Sequence, residues 1–441
     1  MGIIPIILSV LAFSTLLCIF LKPRMGALLY LIYMYFAPYL YIGGFIIYAR
    51  TIAVIFLFAF LWNFKKKMKR QDYAPFFPYI MFLMWQFLLL FTSEIVQFSF
   101  NEWFTSCSNL FFILFLYGNI QTYNYTAKWY STTLFWVFCI ITFYGIFLTT
   151  MPGLNPYQTI VRPLFGGEFN EAYAAGNSGL STSTQLADGR LFGRISSVFS
   201  HPMTYGLNLG LFFIYCLYYL KDRLKYLIPV LLCIFVAILV SGIRTPLAAL
   251  AITSLFIMLY LRKFKSIFYG AIAFAIVIYG IPFISSEAGE YMMSIINSDD
   301  TETKGSSMAM RLDQLKGCFD IVESNILTGK GYGWSRWYNG LYGTHPKALW
   351  FESIIFSILV NTGIVGFIIW GYFVRGYYKY VVKKMKDVFT RTIFLALMVY
   401  YLTYTTITGD FGIQYMFIFY TVLLGLVKFT NDKRVLSVKQ K

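Results

Sequence analysis

The sequence predicts an all-α polytopic membrane protein with about 12–14 transmembrane helices, a count set by the length a bilayer requires. Three observations predict it. Of 441 residues, 59% are hydrophobic and only 12% are charged, whereas soluble domains run at about 45–50% apolar and about 25% charged. The mean hydropathy is +0.65. Aromatic residues reach 21%, as in spans flanked by interfacial belts. No single water-exposed core hides this much hydrocarbon, so soluble enzyme folds, disulfide scaffolds and disordered chains are excluded.

Runs of roughly 20 apolar residues cross a hydrocarbon core. Such runs lie near 3–21, 25–40, 43–64, 74–92, 103–119, 129–150, 201–220, 226–242, 245–261, 266–285, 349–374, 390–408 and 411–429. The first has no basic stretch before it and no small-residue cleavage site, so it reads as an anchor. Around Pro38 and Arg50 the pattern fits either two spans or one broken helix. Polar segments at 151–200 and 286–348 divide the chain. This gives N-terminal helices over 1–150, a first long loop, central helices over 201–285, a second long loop, and C-terminal helices with a tail over 349–441. The first loop, rich in Gly, Ser and Asn, reads as irregular. In the second, Met310, Leu312, Leu315, Cys318, Phe319 and Val322 fit one helical stripe, and GKGYGW reads as a turn.

The net charge of +17 does not describe a nucleic-acid surface. The loops at Lys22/Arg24, Lys65–Arg70, Lys128, Lys221–Lys225, Arg262–Lys265 and Arg375–Arg391, with the tail, hold 25 Lys/Arg against 4 acids. Short basic loops stay cytoplasmic. The C-terminus is therefore expected inside and both long loops outside, and the charge reports topology. The six cysteines lie mostly within apolar runs at unpaired spacings and identify no metal or disulfide framework.

Polar residues that hydrocarbon should exclude carry the most information. Arg244, between two apolar runs in VSGIRTPLAAL, falls on the outer side, where an arginine costs at least about 2.5–3.5 kcal/mol unless protein, water or an anion receives it. Arg190 and Arg194 in DGRLFGRISSVFSHP would share one face if helical. A guanidinium suits phosphate through its planar, permanently charged fork. Glu352 opens a span in KALWFESIIF, where it either caps the helix or, partly withdrawn from water, acts as a general base. His201 and His345 fall on the outer side and suit structural or substrate-orienting roles. Two histidines alone make a poor metal site. Arg50, in IIYARTIAVIF, reads as about 10 Å below the outer surface at 1.5 Å per residue, as a lining residue or a break between helices. Glu94 and Glu102 read as residues of a short outer loop, and Asp299-Asp300 as a solvated turn. P-loop, GxGxxG, GxSxG-with-partner and HExxH patterns are absent, so the free energy of any reaction comes from an activated substrate rather than from a nucleotide.

At these residues the chain resembles the O-antigen ligase and O-antigen polymerase superfamily. The likeness rests on Arg194-Ile-Ser-Ser-Val-Phe-Ser-His201-Pro202, on Ser241-Gly242-Ile243-Arg244-Thr245, and on Arg311, Gly329-Lys330-Gly331-Tyr332-Gly333, Glu352 and Gly363-Ile364-Val365-Gly366 in that order. It covers roughly 190–370. It implies a GT-C-like glycosyltransferase at the outer, periplasmic face of a bacterial cytoplasmic membrane. The implied donor is a polyprenyl-diphosphate-linked oligosaccharide, and no cofactor or metal is implied. Glu352, Arg194 and Arg244 take catalytic places in this reading. Arg190, His201, Arg311, His345 and Arg50 take binding places, and Tyr332, Trp334 and Trp337 stack on sugars. A flippase and a chain-length regulator are the implied protein partners. Ligases usually carry His-Asn where this chain has Glu352-Ser353. Met203 replaces the Asn after His-Pro, and Thr245 replaces the Gly after the second arginine. The departures favour the polymerases of O-antigen, capsule or exopolysaccharide repeats over ligation to lipid A–core. A lipid-linked oligosaccharide flippase is the rival from another class; it expects inverted repeats and charges along a midplane pathway.

Overall fold

The structure is a computed structural model and describes residues 3–36, 41–42, 45–46, 49–64, 73–123, 125–151, 155–157, 195–199, 201–262, 308–410 and 412–439. Its helices are α1 (Ile3–Leu21), α2 (Pro23–Phe36), α3 (Ala49–Phe64), α4 (Phe77–Leu88), α5 (Val96–Thr122), α6 (Thr126–Phe147), α7 (Pro202–Tyr219), α8 (Leu224–Val240), α9 (Thr245–Tyr260), α10 (Met308–Val322), α11 (Trp334–Tyr342), α12 (Ile354–Lys384), α13 (Val388–Thr408) and α14 (Ile413–Lys439). Between α2 and α3, Tyr41 pairs with Ile46 and Ile42 with Phe45 in a short antiparallel ladder. Five described helices have the length and composition to cross a membrane: Val96–Thr122, Thr126–Thr150, Ile354–Lys384, Val388–Thr408 and Ile413–Thr430. Twelve of the thirteen predicted spans coincide with helices; the span at 266–285 lies outside the described residues. The chain is an all-α polytopic membrane protein.

The helix starts are written in the sequence. Pro202 and Pro246 stand in first turns, where a missing N–H costs nothing. Ser353 Oγ accepts from Ile355 N at 3.2 Å and Asp387 Oδ2 from Thr390 N at 2.8 Å, each satisfying a donor the helix leaves open. The interior is unusually tyrosine-rich, and a hydroxyl away from water needs a partner. Tyr400 therefore donates to the Gly206 carbonyl at 3.0 Å, Tyr404 to Met203 O at 2.7 Å and Tyr377 to Phe394 O at 2.7 Å. These bonds tie α7 to α13 and α12 to α13.

The two ends of the bundle differ. At one end Arg24 lies 5.0 Å from the Tyr123 ring and Lys428 Nζ donates to Gln121 O at 3.0 Å; these residues come from the basic loops and their neighbours. At the other end gather the start of α7, the turn between α8 and α9, α10, α11 and the end of α13.

Several boundaries correct the sequence reading. α3 begins at Ala49, so Arg50 sits in a first turn rather than deep within a span. Glu102 lies within α5, not on a loop. α14 runs to Lys439, through residues read as a tail. The stripe on α10 is also different: Cys318 and Val322 are buried, but Leu312 is 54% and Phe319 44% exposed. Met310 carries no described side chain. The buried face includes Gln314 instead, 1% exposed.

Candidate functional site

The site is framed by a break in α12. Gly363 has φ 67° and ψ −171° inside that helix, a region open essentially to glycine alone. Breaking a helix frees backbone groups that hydrocarbon cannot satisfy. Here the chain between α10 and α11 supplies them: Lys330 N donates to Val360 O at 2.8 Å, Ile364 N to Ile326 O at 2.9 Å and Val365 N to Leu327 O at 3.3 Å. Gly329, Gly331 and Gly333 all have positive φ, which lets the GKGYGW turn lie flat against α12 and reverse into α11. Asn361 Oδ1 then accepts from Ser335 N at 2.9 Å and holds the first turn of α11.

Above that break, two of the residues singled out by sequence, Arg311 and Glu352, meet at the end of α13. Arg311 Nη2 stands 3.8 Å from Glu352 Oε2, and its guanidinium also donates to Glu352 O and to Ile407 O, the latter at 2.6 Å. One side chain thereby joins α10, the start of α12 and the end of α13. Burial lowers the Arg311 pKa and the Glu352 charge opposes this. The Glu352 side chain is 39% exposed and so remains reachable. His201 precedes α7, with Nδ1 accepting from Met203 N at 3.1 Å; Met203 O receives the Tyr404 hydroxyl of α13. Arg244 is half-buried at the start of α9, where its carbonyl accepts from Leu247 N at 3.1 Å. Ile195 N donates to Ser241 O at 3.1 Å, so the residue that follows Arg194 docks three residues before Arg244. Arg190 and Arg194 themselves lie outside the described residues, as does the Arg50 side chain.

A second group contains two residues, Arg336 and Asp410, that went unread in the sequence. Arg336 of α11 pairs with Glu102 of α5 at 2.7 Å. The Tyr332 hydroxyl shares a hydrogen bond with Ser106 at 2.8 Å. Asp410, just past α13, accepts from the Tyr401 hydroxyl at 3.0 Å and from Gly412 N at 2.9 Å. Burial pushes the Asp410 pKa up, while Gly412 N–H, the Tyr401 hydroxyl and the Arg336 charge pull it down. Yet Asp410 is exposed. Gly409 lies beside the Phe351 carbonyl and Ser353 N, so Asp410 follows a residue that touches the start of α12. The only hint in sequence was a lone acid in Thr-Gly-Asp-Phe-Gly between two apolar runs. Glu94 and Glu102 are both paired, Glu94 with Lys330 at 3.0 Å.

Trp334 is 7% exposed and packs on Tyr338 and Phe351, with centroids at 5.1 and 6.2 Å; its faces are covered. His345 closes the loop before α12. Its Nδ1 accepts from Lys347 N at 3.2 Å and Ala348 N at 3.1 Å. Burial, and then the Lys347 charge, lower its pKa. A histidine whose folded pKa is depressed contributes full stability above the unfolded value near 6.5, and stability is lost as pH falls below it. Protonation also converts the acceptor into a donor and forfeits both bonds, about 1 kcal/mol each. Thermal unfolding of the purified protein should drop from pH 7.5 to pH 5, a range that brackets the imidazole pKa, and the drop should be smaller in His345→Asn. Equal drops would show that His345 is not the group involved.

Residues 229–371 match the family model described as O-Antigen ligase. The match contains Arg244, Arg311, His345, Glu352 and the Gly363 break; Asp410, Glu102 and His201 fall outside it. Neither the curated proteins nor the solved structures contain a match to the chain. An arginine at the start of α9, an Arg311–Glu352 pair at the start of α12 and the glycine break below it thus occur within one segment, residues 229–371, that is similar to the O-antigen ligase family.

Proposed function

We propose that the chain polymerises lipid-linked oligosaccharide repeats at the outer face of the cytoplasmic membrane, moving a glycan from polyprenyl diphosphate to a sugar hydroxyl. The observation that carries this reading is the Arg311–Glu352 pair at the end of α13, inside the matched segment. A reachable carboxylate takes the proton from the acceptor hydroxyl while its oxygen bonds to C1 of the donor sugar. The C1–O bond to phosphate breaks, the anomeric centre inverts, and the electron pair leaves on the diphosphate. Arg244, with Arg194, stabilises that growing negative charge, as fixed positive charge does wherever a leaving group becomes anionic. Arg311 holds Glu352 in place. Arg190, Arg50, His201 and His345 are supporting residues on the substrate side. Diphosphate paired in this way needs no metal to depart.

A second reading, ligation of the glycan to another acceptor, is favoured by the description of the matched family. The test is reconstitution of the purified chain in liposomes with lipid-linked repeats extracted from the source membrane and no nucleotide. A ladder of multiples of the repeat is expected. A single addition to an added lipid A–core acceptor, without a ladder, supports ligation. Movement of repeats across the bilayer without any new glycosidic bond overturns both.

A further inference from the structure

Helix α10 has three faces. Toward the protein lie Gln314, Cys318 and Val322, all buried. Asp313 and Lys316, paired at 3.6 Å, and Asp320, paired with Lys347 at 2.6 Å, make a charged face. Between these two, Leu312 and Phe319 point within about 20° of one another at 100° per residue and are 54% and 44% exposed. Beyond the helix, Ile326 and Leu327 continue the apolar strip at 41% and 61% exposed.

Where this strip leads is set by backbone bonds. The Ile326 and Leu327 carbonyls accept from Ile364 and Val365 of α12. One turn further along, Phe367 and Ile368 are exposed on a helix with the length and composition of a span. An apolar groove of about 330 Å³ between α4 and α12, lined by Met84, Leu88 and Ile369 among others, continues the same surface. The exposed apolar residues of α10 are thus joined to a lipid-facing strip, whereas its charged residues turn away from it.

We infer that α10 and the elbow at Ile326–Leu327 lie in the membrane interface, with Leu312, Phe319, Ile326 and Leu327 resting on the acyl chains of the adjoining leaflet. A helix with one protein face, one charged face and one apolar face satisfies all three surroundings only at that boundary. Lys316, near the edge of the apolar face, keeps its stem there and lifts its ammonium to water. The consequence is positional. Arg311, on the protein side of the same helix, is held at the level of lipid headgroups. This placement is independent of the reaction proposed above.

The test uses the full chain in phosphatidylcholine nanodiscs doped with a lipid bearing a diazirine near the carbonyl end of one acyl chain. After photolysis, peptides are mapped by mass spectrometry. Lipid adducts are expected on the peptide spanning 312–327 at a yield comparable to that on the peptide with Phe367 and Ile368. In the double variant Phe319→Asp, Leu327→Asp, loss of the first label with retention of the second is expected. If that variant fails to fold, the wild-type map decides alone. Adducts confined to the 367–368 peptide overturn the inference, as do cross-links joining 312–327 to a second copy or to another protein.

Discussion

Replacing Gly363 by alanine prevents accumulation of the folded protein. The residue holds φ 67° and ψ −171°, a conformation that a Cβ makes costly by several kcal/mol when the surrounding backbone is fixed. It is fixed here, because the new Cβ would collide with the Leu327 carbonyl, which is backbone rather than a flexible side-chain end. Relieving the collision separates α12 from the 326–330 elbow and breaks three hydrogen bonds, each contributing about 0.5–1.5 kcal/mol and more in hydrocarbon. The sum rivals a typical net stability of about 5–15 kcal/mol. Gly340 is the control, since a Cβ there meets nothing within 4 Å. Detergent-extracted, fluorescently tagged Gly363→Ala should elute aggregated or melt far below wild type, while Gly340→Ala melts with it. A Gly363→Ala variant that melts like wild type would mean that α12 is not broken at this residue.

Arg244→Ala abolishes polymer and leaves membrane insertion intact. The guanidinium stands half-buried at the start of α9, in the matched segment, near the point where the chain returns from Arg194. On the proposed mechanism, losing one fixed charge from the leaving-group site costs about 10²–10³ in turnover, enough to empty the ladder. Arg244→Lys should recover little, because a point charge cannot fork across two phosphate oxygens. The measurement is ladder formation in liposomes with matched amounts of protein. Normal chain length in Arg244→Ala would remove Arg244 from the site, and full rescue by lysine would show that charge alone is needed there.

The residues that the sequence singles out are those with a local signature of cost. Arg244 is legible because arginine between apolar runs is rare, and Glu352 because a carboxylate opening a span is conspicuous. Hydropathy along the chain likewise marks twelve of the described helices, and Arg24 and Lys428, from two of the basic segments, fall at one end of the bundle. The stripe on α10 misled, since periodicity distinguishes one face of a helix from another but not protein from lipid. Leu312 and Phe319 are apolar for a surrounding that is not the core. Asp410 and Arg336 carried no such signature. Each sits among ordinary loop-prone or aromatic residues, and each acquires meaning from residues distant in sequence, Arg336 from Glu102 and Asp410 from Arg336 and Tyr332.

By itself, the sequence determined that lipid is the solvent and roughly where the chain crosses it, because the transfer energy of each side chain is a local property that sums along a helix. Only the tertiary structure decided that Arg311 meets Glu352 forty-one residues later, that the GKGYGW turn packs against the break at Gly363, and that Arg336 meets Glu102 of α5. Those depend on helices from separate parts of the chain meeting at one end. Burial and pairing of a charge are properties of that meeting and not of the residue that bears it.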